Sequence, residues 1–344
     1  MMRAGLIGLG MVANTYGAAF RNSKTVALAR VFAPSPESRA RFQERFADLG
    51  ARTCESLQDM ADDPRIDFVV VATPPNARID TVHVLAGASK PILMEKPIER
   101  TLKAATVIVD YCEAKGLPFG IMLQHRARPI VSDMKQQLAE LGPIIAVEVN
   151  VPWWRPQSYY DEPGRGSYQR DGGGVLICQA IHALDLMLSL TGPVEEVTAM
   201  CATTGFHRME AEDFVVAGLL FENGAVGQLF ATTASYPGQG ETLTIHCKHG
   251  TARLAAGKLY IDLADGKSRE LGQSTTSGSG ADPMAFTSDW HQAVIEEFAD
   301  ALAENREPSI TGRAALKVHH LIDAIEKAGA SGERVRLKEF PDAV

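Results

Sequence analysis

The chain has no closely spaced cysteine pair. Its five cysteines, Cys54, Cys112, Cys178, Cys201 and Cys247, are scattered and odd in number. That excludes a disulfide-stapled framework and favours a reducing compartment. A long basic run is missing too. The 34 Lys and Arg against 42 Asp and Glu leave a formal charge of −8, whereas a phosphate backbone is gripped by clustered cations. Nucleic acid is therefore not an expected partner. No apolar run approaches the roughly 20 residues that cross a bilayer, so a membrane is not expected either. Met1-Met2-Arg3 leads directly into a strand-like stretch, with no signal-peptide apolar core or cleavage site. A cytoplasmic location is the expectation.

What is present describes an ordinary globular protein. Hydrophobic residues make up 45% and charged residues 22% of 344, and that length predicts two domains. In the first third, Ala4–Ile7, Val26–Ala33, Phe68–Ala72, Pro91–Met94 and Phe119–Leu123 are short apolar runs rich in Val, Ile and Leu. They alternate with helical stretches such as Pro36–Leu49 and Leu102–Lys115. Strands buried on both faces and alternating with helices predict a doubly wound parallel sheet. The pattern changes after Gln124. A helix over Ile130–Leu141 ends at Gly142-Pro143, and Ile144–Val151 alternates as a strand with one wet face. A loop from Trp153 to Gly174 leads into an apolar helix, Val175–Leu190. Alternating runs at Phe214–Phe221, Ala225–Ala231 and Leu243–Cys247 predict a large, mostly antiparallel open sheet. The Ser-, Thr- and Gly-rich stretch Gly272–Asp282 predicts a mobile loop, and helices near Trp290–Glu304 and Arg313–Ala328 finish the chain. The fold class expected is α/β, with a Rossmann domain over 1–123 and an α+β domain over 124–344, one C-terminal helix packing back on the first domain.

Directly after the first strand stands Gly8-Leu9-Gly10-Met11-Val12-Ala13. In this GxGxxA pattern the first glycine makes a tight turn and the second lets backbone approach a pyrophosphate. The small third residue brings helix close to strand. Amides near Met11 and Val12, with the helix dipole, then face the diphosphate. Where NAD binding calls for an acid at the end of the second strand, this chain has Ala33. Ser35 and Arg39 follow, and they suit a 2′-phosphate as well as they suit a solvated helix face. NADP is preferred slightly over NAD.

Glu95-Lys96-Pro97 closes a later strand, where ligands bind in such sheets. Lys96 there can steady developing alkoxide charge, and the Lys96–Pro97 bond is expected to be cis. Cys178, His182 and Asp185, at i, i+4 and i+7, share one face of a helix. His182 suits a general base. Trp153, Trp154, Arg155, Tyr159, Tyr160, Arg165 and Tyr168 crowd the preceding loop, which suits a sugar ring or a subunit contact equally. His246, Cys247, His249 and His319-His320 read as structural, and no metal is expected.

Together these motifs resemble the glucose–fructose oxidoreductase and inositol dehydrogenase family (Gfo/Idh/MocA). The resemblance runs in order through Gly8-x-Gly10-x-x-Ala13, Ala72-Thr73-Pro74-Pro75-Asn76, Glu95-Lys96-Pro97 and Gly172-Gly173-Gly174 with His182 and Asp185. It continues through Glu212-Asp213, Phe221-Glu222-Asn223-Gly224 and Glu307-Pro308. It implies hydride transfer between a nicotinamide and a CH–OH carbon of a sugar or polyol, with Lys96, His182 and Asp185 catalytic. Thr73, Pro74, Asn76, Glu95 and Gln124 would join the cofactor site. Arg126, Trp154, Arg155, Tyr160, Cys178 and Gln179 would join the substrate site. A homodimer or homotetramer through the C-terminal sheet is implied as well. The chain departs from the family at Cys178, where many members carry Asp, and at Gln124, where they carry Asn. Cys178 leaves open a non-catalytic cofactor or sugar sensor, and a non-sugar ketone or dihydrodiol remains an alternative substrate.

Overall fold

A computed structural model describes residues 1–275 and 278–337. The chain divides into two compact units. The first holds Met1–Ala127 and Thr287–Leu316. The second holds Arg128–Phe286 and the residues from Lys317 onward. The second domain is thus not the continuous 124–344 expected, because 287–316 belong to the first unit.

The first unit is a six-stranded parallel sheet in the order β3-β2-β1-β4-β5-β6. Its strands are β1 (Met2–Ile7), β2 (Val26–Phe32), β3 (Arg52–Thr53), β4 (Phe68–Val71), β5 (Ile92–Glu95) and β6 (Phe119–Met122). All residues of β4, β5 and β6 are buried, as strands covered on both faces must be. Of these six, only β3 lacked a sequence signal, being two residues long and polar at both. The helices are α1 (Ala13–Asn22), α2 (Pro36–Arg45), α3 (Leu57–Asp62), α4 (Arg78–Gly87) and α5 (Leu102–Ala114). Side-chain caps start three of them: Ser35 accepts from Ser38, Ser56 shares a capping box with Asp59, and Thr101 accepts from Ala104. Far along the chain, Val294, Ile295, Phe298 and Ala299 join the same core as Leu6, Val31, Phe68 and Val70.

The second unit is a nine-stranded sheet in the order β14-β13-β12-β11-β7-β10-β9-β8-β15. Helix α6 (Pro129–Leu141) precedes β7 (Ile144–Pro152), and α7 (Gln157–Tyr160) follows it. A π-helical turn, Leu176–Ala180, runs into α8 (Ile181–Thr191). Then come β8 (Val194–Ala202), β9 (Phe214–Phe221), β10 (Val226–Thr232), β11 (Thr242–Cys247), β12 (Gly250–Ala255), β13 (Lys258–Leu263) and β14 (Ser268–Gly272). The chain finishes with α9 (Asp289–Ala303), α10 (Gly312–Ser331) and β15 (Val335–Arg336), of which α9 belongs to the first unit. Only β7 and β10 pair in parallel in this sheet, so it is mostly antiparallel. Val147, Val149 and Val151 of β7 point to the buried face, in the alternation read from the sequence.

Part of the Gly272–Asp282 loop, residues 276–277, lies outside the described residues. The part around Gly278–Gly280 is tied down. Arg155 donates to the Gly278 and Gly280 carbonyls at 2.7 and 2.5 Å, and Trp154 N–H donates to Ser279 O at 2.9 Å. A buried guanidinium anchors the backbone there. Among the described residues, no helix is long and apolar enough to cross a membrane.

Candidate active site

A parallel sheet sends the carboxyl ends of its strands to one edge, so Gly8, Ser35, Thr73, Lys96 and Gln124 arrive together from separate parts of the chain. Gly8 has φ +95°, and a Cβ there would meet the Ala72 carbonyl oxygen at 2.6 Å. The turn admits glycine only. Gly10 is the opposite case: a Cβ there would meet nothing within 4 Å. The fold does not need that glycine, whereas a ligand approaching the backbone would. At the start of α1, Val12 supplies no side-chain cap and the first turn holds no acid. The positive helix end is left available to an anion. Gly10, Met11, Pro74 and Asn76 are exposed around it, and Ala13 is buried against the strands.

Two polar atoms at this edge, Thr73 Oγ1 and Gln124 Oε1, are buried without a hydrogen-bond partner. Buried polar atoms of this kind call for a ligand or water, and an amide-bearing ring satisfies a hydroxyl and a carboxamide oxygen. The edge therefore fits a nicotinamide dinucleotide. Ser35 and Arg39, the expected 2′-phosphate ligands, are already engaged. Ser35 Oγ caps α2, accepting from Ser38 at 3.1 Å and donating to Glu37 at 2.7 Å. Arg39 donates to Ala33 O at 2.8 Å and pairs with Glu55 at 3.6 Å.

Below Lys96 lies a buried network that sequence reasoning missed apart from Glu95. Glu95 Oε1 accepts from Tyr16 Oη at 2.8 Å, and His291 Nε2 stands 3.7 Å away. Lys96 N–H donates to Glu95 Oε2 at 3.1 Å. Arg78 donates to the carbonyl oxygens of Glu95 and Thr73. Burial tends to raise the Glu95 carboxyl, but His291, Lys96 and Tyr16 together hold it below the ordinary carboxylate value. Burial pulls the Arg78 guanidinium down to about 10, still protonated at neutral pH. Glu95 thus supports the Lys96 backbone through a carboxylate whose bonds are internal to the protein. The Lys96–Pro97 peptide is cis, as expected.

In the second unit the glycine triplet has a structural cause. A Cβ on Gly174 would fall 1.8 Å from Glu212 O, while Gly172 and Gly173 have φ +88° and +155°. Glu212 accepts from Gly174 N–H at 3.1 Å and Leu176 N–H at 3.0 Å, capping the helix that carries His182. Asp213 holds different partners. Its Oδ2 meets His207 Nδ1 at 2.6 Å, Thr204 donates to both its oxygens, and His207 Nε2 donates to Arg155 O at 2.8 Å. Burial opposes a charge on His207, but the Asp213 bond raises its proton affinity above the ordinary value. Both carboxyl groups of the Glu212-Asp213 motif are therefore positional devices, one for a helix and one for a loop.

The spacing of Cys178, His182 and Asp185 assumed an unbroken α-helix. Residues 176–180 instead wind as a π turn, which shifts Cys178 and Gln179 out of α register with His182. His182 and Asp185 remain one turn apart on α8, both buried. π turns recur at functional sites. Tyr159, Arg165, Asp171, Gly173, Cys178 and Gln179 line a small hollow beside the turn, and Gln179 Oε1 is buried there without a partner.

Several expected substrate contacts have other work. Arg155 is buried and committed to backbone carbonyls, and Tyr160 Oη bonds Thr233 at 2.6 Å inside the unit. Neither is disposed as a substrate ligand. Trp154 is half-buried, edge-on to Phe206 and Tyr236. Arg126 is half-buried on the segment after β6.

Two family profiles match this chain. An oxidoreductase family's NAD-binding Rossmann fold matches residues 2–122, and the Gfo/Idh/MocA C-terminal domain matches residues 132–253. The chain belongs to the Gfo/Idh/MocA oxidoreductase family. An uncharacterized protein of Saccharomyces cerevisiae is 26% identical over 299 residues, 83% of each chain. D-apiose dehydrogenase of Rhizobium rhizogenes is 25% identical over 350 residues, 97% of each. Among solved structures, the WlbA dehydrogenase of Bordetella pertussis in complex with NADH and UDP-GlcNAcA superposes with a TM-score of 0.83. It is 28% identical, with 98% of each chain covered.

Proposed function

We propose that this protein is a nicotinamide-dependent dehydrogenase acting on a CH–OH carbon of a sugar or polyol. The observation that carries the reading is the glycine pair. Gly8 is required by the fold, Gly10 is required by nothing in the protein, and both open on an uncapped helix start. Gly10, Met11, Val12 and Ala13 would hold the diphosphate, and Thr73, Pro74, Asn76 and Gln124 the remainder. A nicotinamide bound there supplies the hydride acceptor or donor. Lys96 steadies the alkoxide oxygen as the C–H bond weakens. His182 takes the hydroxyl proton at a ring nitrogen, with Asp185 orienting it. Gln179 and Cys178, beside the hollow, contact substrate hydroxyls.

NAD is the cofactor we assign in place of NADP. Ser35 and Arg39 are occupied within the protein, and the WlbA relative holds NADH. Sugar substrates are supported by the D-apiose dehydrogenase relative and by the UDP-GlcNAcA complex of WlbA. A homo-oligomer through the second sheet fits its outer face, where exposed Met200 and Val216 stand opposite each other across β8 and β9, and Phe230 opposes Val216 on β10. Sedimentation of the purified chain tests that assignment, and a monomer would refute it.

The function is tested by following nicotinamide absorbance with aldoses, polyols and inositols against NAD and NADP. Lys96→Met is expected to lower kcat/KM by about 10²–10³-fold, the usual loss for one donor on a developing oxyanion. Cofactor binding without turnover of any substrate would instead favour the sensor.

A further inference from the structure

Glu326 has no part in the chemistry assigned above. It lies on the second unit's part of α10, and its Oε1 is buried without a hydrogen-bond partner. A Cβ placed on Gly173 would sit 3.2 Å from that oxygen and 4.0 Å from Glu212 Oε2. The two carboxyls therefore share one small space beside the glycine triplet. They differ in their donors. Burial lifts the Glu212 carboxyl above its ordinary value, but both its oxygens accept backbone N–H groups, from Gly174 and Leu176, which favours a carboxylate. Glu326 Oε1 receives none. Two carboxyls in one low-dielectric space hold a proton between them, and the donors place it on Glu326.

Among the described residues, the groups facing Glu326 add no cation to this balance. They are Glu212 before β9, Cys201 on β8, Tyr168 on the approach to the triplet and Asp323 earlier on α10. Burial and the two carboxyls push the Cys201 thiol up to about 12, so it stays neutral.

We propose that Glu326 is a positioning residue, whose protonated form keeps the Glu212 cap closed on the turn leading to His182 and whose ionisation releases it. Burial, with Glu212 and Asp323 nearby, lifts the Glu326 carboxyl to about 8, so release falls in mildly alkaline solution. A second negative charge beside Glu212 repels it from the Gly174 and Leu176 amides. The 172–182 segment then loosens. Under the proposed function this sets an alkaline limit on activity, while the structural step itself needs no substrate.

Hydrogen–deuterium exchange of the full chain, read over residues 172–182 from about pH 6.5 to 9.5 and corrected for intrinsic base catalysis, tests the proposal. Protection in the unaltered protein is expected to fall by about tenfold or more across that range. In Glu326→Gln, neutral at every pH, the fall should vanish. Glu326→Met serves the same purpose if the Gln variant fails to fold. Constant protection in the unaltered protein, or an equal fall in the neutral variants, would overturn the proposal. Because exchange uses no substrate, the result stands whichever reaction the protein catalyses. If the dehydrogenase is confirmed, the alkaline limb of its pH–rate profile should move upward in Glu326→Gln, and an unmoved limb counts against the link to His182.

Discussion

Glu95 in the first unit and Glu326 in the second are the same side chain, one buried and one half-buried, and their carboxyls shift in opposite directions. Around Glu95 are Tyr16, His291 and the Lys96 amide, donors that outweigh burial and hold the carboxyl below its ordinary value. Around Glu326 are Glu212 and Asp323, and its carboxyl rises to about 8. Burial alone does not set the charge of a buried acid; donors and neighbouring charges are weighed against it.

The largest expected effect probes the frame beside Glu326. Gly174→Ala forces a Cβ into the Glu212 backbone, and a loss of about 3 kcal/mol or more in urea unfolding is expected. A loss under about 1 kcal/mol would mean that the cap shifts freely, removing the contrast with the fixed network around Glu95. Next comes Glu95→Gln, which takes the charge from a network built around a carboxylate. A loss of about 2–3 kcal/mol is expected by the same measurement. Tyr16→Phe, which leaves Glu95 one donor short, should cost about 1.5–2 kcal/mol.

The remaining effect has the opposite sign. Glu326→Gln is expected to stabilise the protein at alkaline pH by as much as roughly a few kcal/mol. Linkage gives the sign in each case. The lowered Glu95 carboxyl contributes stability above the unfolded value of 4.5, which is lost as pH falls through the folded value. The raised Glu326 carboxyl costs nothing in acid; its penalty grows as the unfolded chain ionises above 4.5 and is complete above about 8. Thermal unfolding of both Gln variants against pH checks this. Curves that run parallel to the unaltered protein would dissolve the comparison.

The cradle was legible because its demands are local. Gly8, Gly10 and Ala13 follow a strand and open a helix within a few residues, and apolar runs mark buried strands wherever they occur. The supporting network was not legible. Tyr16 and Glu95 are 79 residues apart, and only the sheet order brings them together. Glu95 was marked by its motif, yet nothing marked Tyr16 as its partner. Arg78 and His291 gave no signal, since an Arg or His on a helix reads as a solvated face until the neighbouring element is known. Arg155 misled for the converse reason: a cation among aromatics suggested a ligand, and its bonds go instead to a loop about 125 residues away.

Periodicity and short motifs by themselves determined the two sheets and the glycine turn after the first strand, because strand burial and tight turns depend on neighbours in sequence. Only the tertiary structure decided the bounds of the returning segment, 287–316, that the helix before His182 opens with a π turn, and which way each carboxyl shifts. Those outcomes depend on donors and acceptors delivered from distant segments, and the chain must fold before they meet.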